Sequence, residues 1–210
     1  MAERISDFPQ ISFPVPEKEI FFRLGGHAGK KGMSESFLEE YKSLIHKAFA
    51  LCAPCGRTRV LDIVDILPQG VLLSGGELLI GSQFAATLAG CRKLWCAAAT
   101  VGKKLVEARD AQTSVSAKSI YDAVGSECAE KTIRFLHEKA VRDHFRRGEL
   151  VSLKRYSPGY GDMPIETQKM FFNFLKLNDL GLSLTEENFI VPEKTVTAWA
   201  GITVLGENLQ

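Results

Sequence analysis

The sequence predicts a single α+β domain over residues 1–210, with a mixed or antiparallel sheet, one long helix and several shorter ones packed around it. Three observations carry this. Residues 59–66, 94–101 and 196–204 are apolar or β-branched runs of strand length. Residues 116–147 hold the longest helical signal in the chain. Helices and strands mix without strict alternation, which disfavours a parallel βαβ repeat. A chain of 210 residues is ample for one sizeable core.

The elements follow in chain order. Residues 1–33 read as an irregular, extended N-terminal arm, with Pro9, Pro14 and Pro16 favouring extended backbone. Its last part, Leu24-Gly-Gly-His-Ala-Gly-Lys-Lys-Gly, reads as a loop. Ser34 and Ser36 offer caps, Ser36 forming a capping box with Glu39. Phe37, Leu38, Tyr41, Leu44, Ile45, Ala48 and Phe49 then repeat at helical spacing. Pro54 and Gly56 end that helix. Turns at Pro68-Gln-Gly and Ser74-Gly-Gly flank a short strand at 71–73. Ser82 is placed as the cap of a short helix through Leu88, and 103–109 is read as another helix. In the long helix, Tyr121, Val124, Cys128, Phe135, Leu136 and Ala140 form the apolar stripe. Gly125 weakens its middle by roughly 1 kcal/mol relative to Ala, and Gly148 stops it. Residues 150–156 read as a strand. Pro164 suits the first turn of a helix over 165–177, closed by Gly181. Strands at 188–191 and 196–204 finish the chain.

Composition excludes several classes. There are 26 Lys+Arg against 25 Asp+Glu, a net charge of +1, which argues against binding nucleic acid through phosphates. No apolar run reaches the roughly 18 to 20 residues of a membrane span. The start has early acids and no apolar signal core. Five cysteines make an odd count that does not fit a secreted disulfide framework, so the expected compartment is the reducing cytoplasm.

Few residue sets point to catalysis. Cys52-Ala-Pro-Cys55 has the spacing of a redox pair, but it follows a helix, where the dipole disfavours a thiolate. Two buried structural cysteines are the plainer reading, with a thiol oxidoreductase kept as an alternative. No second Cys-x-x-Cys completes a zinc site. Ala98-Ala-Thr-Val-Gly102-Lys-Lys has the form of an anion-binding turn, but lacks the glycines of a Walker or dinucleotide loop. His27, His46, His137 and His144 form no metal pattern, and nothing nominates a Ser/His/Asp triad. No catalytic or metal-binding residue is therefore assigned.

The segment Arg155-Tyr-Ser-Pro-Gly-Tyr-Gly-Asp-Met-Pro164 stands apart. It packs an arginine, two tyrosines and two glycines between a strand and a helix. Glycines let a ligand approach the backbone. Arginine grips a carboxylate in a fork, and tyrosine faces favour a cation. The chemistry suits a small zwitterion such as a substituted amino acid. The competing reading is a rigid turn in which Asp162 caps the next helix.

Arg155-Tyr-Ser-Pro-Gly159-Tyr160 resembles the Arg-x-x-x-Gly-Tyr motif for S-adenosylmethionine in the activation domain of cobalamin-dependent methionine synthase. Residues 184–201 and 129–137 are similar to that family's C-terminal part and to its long helix before the motif. The resemblance implies a reactivation module. In that family cobalamin occasionally oxidises to inactive cob(II)alamin. An electron, usually from flavodoxin, reduces it, and S-adenosylmethionine then methylates cobalt(I). This chain shows no corrinoid- or folate-binding domain, so the resemblance implies action in trans on a separate cobalamin-binding methionine synthase chain. It implies that Arg155 holds the methionine carboxylate, that the backbone at Ser157 meets the ligand, and that Gly159 and Tyr160 line its face. Glu130 and Glu149 fall where the family places ligand-contacting carboxylates. The sequence departs from the family in having Gly161-Asp-Met-Pro164 where large members have Pro-Ala-Cys-Pro. It also lacks counterparts of an N-terminal acid and a C-terminal tyrosine. Those gaps leave a second reading, a corrinoid-protein docking module without a methyl-donor site.

Overall fold

In the computed structural model, which describes residues 4–25 and 35–205 and the side chains of all of these but 35–37, the chain begins with β1 (Ser6–Phe8), α1 (Glu17–Arg23) and α2 (Glu35–Phe49). It continues through β2 (Cys55–Leu67), β3 (Gly70–Leu73), β4 (Leu78–Ile80), α3 (Ser82–Thr87), β5 (Lys93–Thr100), α4 (Lys104–Asp110) and α5 (Val115–Phe145). Then come β6 (Glu149–Val151), a 3-10 turn (Ile165–Thr167), α6 (Gln168–Leu175) and a second 3-10 turn (Leu177–Leu180). The small hairpin β7 (Ser183–Leu184) and β8 (Ile190–Val191) precedes β9 (Thr195–Val204). The main sheet has the order β4-β3-β2-β5-β9-β6, with β1 added to β2, and its pairings are antiparallel. The α+β expectation holds. No helix among the described residues is long and apolar enough to cross a membrane.

Strand alternation explains why 94–101 is apolar throughout. Successive side chains point to opposite faces, and both faces of β5 are covered. Leu94, Cys96 and Ala98 join Phe84 of α3, Phe171 and Leu175 of α6, and Trp199 of β9. Trp95, Ala97 and Ala99 face the other way, against Ile133, Leu136 and Ala140 of α5. Small alanines in the middle of β5 let the long helix come close. The N-terminal half of α5 serves a third core, packing Ile120, Val124 and Cys128 on Ile20 of α1, Ile45 of α2 and Leu105 of α4. A 31-residue helix that serves two cores has no single apolar stripe.

Several local expectations shift. Residues 1–33 are not all irregular: β1 pairs with β2, and α1 forms after Pro16 with Ile20 fully buried. Seven residues with one buried apolar side chain give too short a period to read. The glycine-rich stretch 26–34, His27 and the cap side chains at Ser34 and Ser36 lie outside what is described. The strand expected at 150–156 is only β6 plus one bridge, Tyr156 to Trp199. The helix expected from 165 to 177 divides into a 3-10 turn and α6. Ser82 is the first residue of α3 rather than its cap, which is Gly81.

Candidate functional site

The chain leaves β6 at Ser152, whose N–H donates to Gly201 O and whose carbonyl is 2.8 Å from His137 Nε2 on α5. Burial holds His137 below its usual imidazole pKa, against the opposing pull of the Ser152 carbonyl. Tyr156 then rejoins the sheet through a reciprocal pair of backbone bonds with Trp199. The Ser157 hydroxyl donates to Thr197 O at 2.7 Å, tying the segment to β9. Past it the backbone folds on itself: Gly159 N–H donates to Met163 O, and Tyr160 N–H to Ser157 O. Gly159 at φ 83° and Gly161 at φ 62° occupy the left-handed region that makes this turn possible.

Asp162 does not cap the helix that follows it. Its Oδ2 accepts from the Ser82 hydroxyl and from Gln83 N–H, both at 2.8 Å, and so clamps the turn to the start of α3. These bonds hold its carboxyl below the usual carboxylate range, the Gln83 amide contributing most. The helix after the turn begins behind Pro164 without a side-chain cap.

Between this turn, α3, α5 and the start of β9 lies a cavity of about 620 Å³. Its apolar part includes Phe84 and Tyr156, whose rings meet edge to face at 5.4 Å, and Met163. Lys154 Nζ stands 4.8 Å from the centre of the Tyr156 ring. Tyr160 is on the rim and 78% exposed. Arg155 and Glu130 meet here: Nη2 donates to Oε1 at 2.6 Å. Glu130 also has Arg134 at 3.5 Å, one helical turn along α5. The other arginine terminal nitrogen, Nη1, is buried with no hydrogen-bond partner among the described residues. A guanidinium nitrogen left without an acceptor is costly. A second cavity of about 650 Å³ adjoins the first, shares Gln168 and Thr195 with it, and is lined by Phe189, Val191 and Pro192 among others.

Of the six residues nominated from sequence, Arg155, Ser157, Tyr160 and Glu130 line the cavity, and Gly159 shapes the turn that encloses it. Glu149 is elsewhere. It pairs with Val204 at the far end of β9, with Oε1 2.6 Å from Lys93 and Oε2 2.5 Å from His144 Nδ1. Burial raises its pKa, but Lys93 and His144 together outweigh that and hold it low. The sequence reading missed Gln83, Phe84, Gln168 and Thr195–Thr197, because no local signal marks residues brought in from α3, α6 and β9. Among the described residues no group of three or more His, Cys, Asp or Glu is placed to hold a metal ion.

No family model matches the chain, and no curated protein matches it. Its fold is shared with a solved structure, the crystal structure of the MetH reactivation domain bound to AdoHcy. The two superpose with a TM-score of 0.66 over 99% of this chain and 80% of that one, at 14% sequence identity.

Proposed function

We propose that this chain binds S-adenosylmethionine in the Arg155 cavity and serves as a reactivation module for a cobalamin-dependent methionine synthase. The observation that carries the reading is the Arg155–Glu130 pair, set in an Arg-x-x-x-Gly-Tyr segment, with Arg155 Nη1 lacking an acceptor among the described residues. The methionine part of the ligand is a zwitterion. Its carboxylate supplies the acceptor Arg155 lacks, and its ammonium or sulfonium is matched by Glu130. Tyr156, Phe84 and Tyr160 offer aromatic surface for a cation and a flat base. About 620 Å³ is within the range of small-ligand sites. The likeness to a fold seen bound to AdoHcy, the product left by methyl transfer from this donor, supports the same reading.

The chain's residues position the donor and keep water from it; they supply no acid or base. The cobalamin, carried by a separate methionine synthase chain, supplies the cobalt nucleophile that takes the methyl group. Flavodoxin or another reductant supplies the electron. One observation favours a second reading, docking on a corrinoid protein without methyl donation: Glu130 and Arg155 already satisfy each other at Nη2.

Calorimetric titration with S-adenosylmethionine tests the proposal. Saturable binding is expected, weakened roughly tenfold to a hundredfold in Arg155→Ala by loss of a charged hydrogen bond. Absence of binding by the native chain, both alone and with a cobalamin-loaded partner present, overturns it. Partner binding that survives Arg155→Ala with no effect of ligand would establish the docking reading.

A further inference from the structure

The Arg155 cavity has two polar ends, set on opposite faces of the sheet. At one end are Arg155 and Glu130, and Glu130 belongs to α5, which packs on the face of Trp95, Ala97 and Ala99. At the other end is Gln168, the first residue of α6, which packs on the face of Cys96, Ala98 and Trp199. Thr197 stands opposite Ala98 in the register of β5 and β9, so its side chain is on the α6 face as well. The Thr197 hydroxyl donates to Gln168 Oε1 at 2.8 Å. This turns the Nε2 group, with its two N–H donors, into the cavity that Gln168 lines. Gln168 is only 8% exposed, and among the described residues nothing accepts from Nε2. A polar side chain this buried, fixed at one end and open to a cavity at the other, is completed by an acceptor on a ligand.

We infer that Gln168 determines which base the site accepts: its Nε2 donates to a ring nitrogen of adenine, and Thr197 holds the carboxamide in the orientation that allows it. This rests on S-adenosylmethionine filling the cavity. With the methionine part at Arg155 and Glu130, adenosine is the part left to reach the α6 face. The apolar surface for a flat base is on that face too: Phe84 shares a core with Phe171 and Trp199, and Tyr156 packs against it. A donor suits adenine, whose unprotonated ring nitrogens accept and which carries no carbonyl. A site built to give a hydrogen bond rejects a ligand lacking the acceptor, because the buried donor is then left unpaired. Gln168 takes no part in methyl transfer itself.

Calorimetric titration of the full native chain tests this, comparing S-adenosylmethionine with its 1-deaza, 3-deaza and 7-deaza counterparts, in each of which one ring nitrogen becomes C–H. One of the three is expected to bind about tenfold more weakly than the parent ligand, and the other two nearly as well as it. In Gln168→Leu the parent ligand should fall about tenfold, to the level of that weak analogue, whose own affinity should fall no further. Gln168→Glu, which sets an acceptor where the donor was, should weaken the parent ligand at least as much. Four equal affinities on the native chain overturn the inference, whatever any variant does. A deficit of the weak analogue that persists in Gln168→Leu also overturns it, as does a loss in that variant shared equally by all four ligands, which marks a role only in holding α6 to β9. A native chain that binds none of the four, alone or with a cobalamin-loaded partner, overturns the reading of the whole site and this inference with it.

Discussion

Replacing Gly125 by alanine separates local from tertiary reasoning most sharply. Glycine in mid-helix costs α5 about 1 kcal/mol relative to alanine, so helix propensity alone expects Gly125→Ala to stabilise the protein. Packing reverses the sign. A Cβ at this position would sit 2.6 Å from Leu105 Cδ2 and 2.9 Å from Lys194 Cγ. Leu105 is in the core at 1% exposure. The Lys194 ammonium is pinned 2.7 Å from Asp122, 3.0 Å from Glu193 and 3.1 Å from Ser126. Neither neighbour can swing aside freely. Overpacking costs about 1 to 3 kcal/mol, and two contacts this short against pinned neighbours place it near the upper end. After the propensity gain, the net loss is about 2 kcal/mol. Urea unfolding of the two proteins, with equal slopes, measures it as a lowered midpoint. In a Leu105→Ala background the penalty should fall by at least half, since one of the two obstructing groups is gone. An alanine variant as stable as the parent, or more so, would refute the packing argument.

Other outcomes follow from the same geometry. Arg155→Lys keeps the charge but loses the planar fork, and should weaken S-adenosylmethionine binding about tenfold; equal affinity would remove the fork from the account. The Asp162 carboxyl is held low by the Gln83 amide and the Ser82 hydroxyl. A lowered folded pKa means its clamp is intact above the ordinary value of 3.8 and is lost as pH falls through the folded value. The Gln83 amide shift should therefore titrate with a midpoint below 3.8, and Asp162→Asn should abolish that titration; a midpoint at or above 3.8 contradicts the clamp. Arg109, then Lys194, hold Glu193 at about 2 despite its partial burial, against an ordinary 4.5. Its stabilising contribution is complete above 4.5 and is lost as pH falls toward about 2. Glu193→Gln should flatten the stability profile across that window, and an unchanged acid limb would show that the pairing is energetically idle.

The parts of the fold that were legible in sequence are those whose signal is local. The apolar run of β5, the long periodicity of α5, the stop at Gly148 and the Arg-Gly-Tyr turn each follow from neighbours in the chain. Segments with weak local signals were missed. Helix α1 owes its form to Ile20 docking in a core shared with α5, and β7 is a strand of only two residues. The expected strand at 150–156 is interrupted because the chain leaves β9 after Ser152, toward His137 and Glu130, and rejoins it only at Tyr156.

The candidate site divides along the same line. Residues 155–164 are readable from the chain alone as a glycine-hinged turn carrying an arginine and two tyrosines, because turn chemistry is a property of adjacent residues. The place of Glu130 on the long helix is readable in the same way. Which charges meet depends on the folded chain. Glu130 reaches Arg155 across 25 residues of chain, whereas Glu149, much nearer in sequence, is drawn to Lys93 and His144 at the other end of the sheet. Asp162 turns from the helix it precedes to one 79 residues earlier. Partner choice of this kind depends on strand register and on where the long helix crosses the sheet. Those are set by burying apolar side chains throughout the molecule, not by the spacing of the polar groups that then find one another.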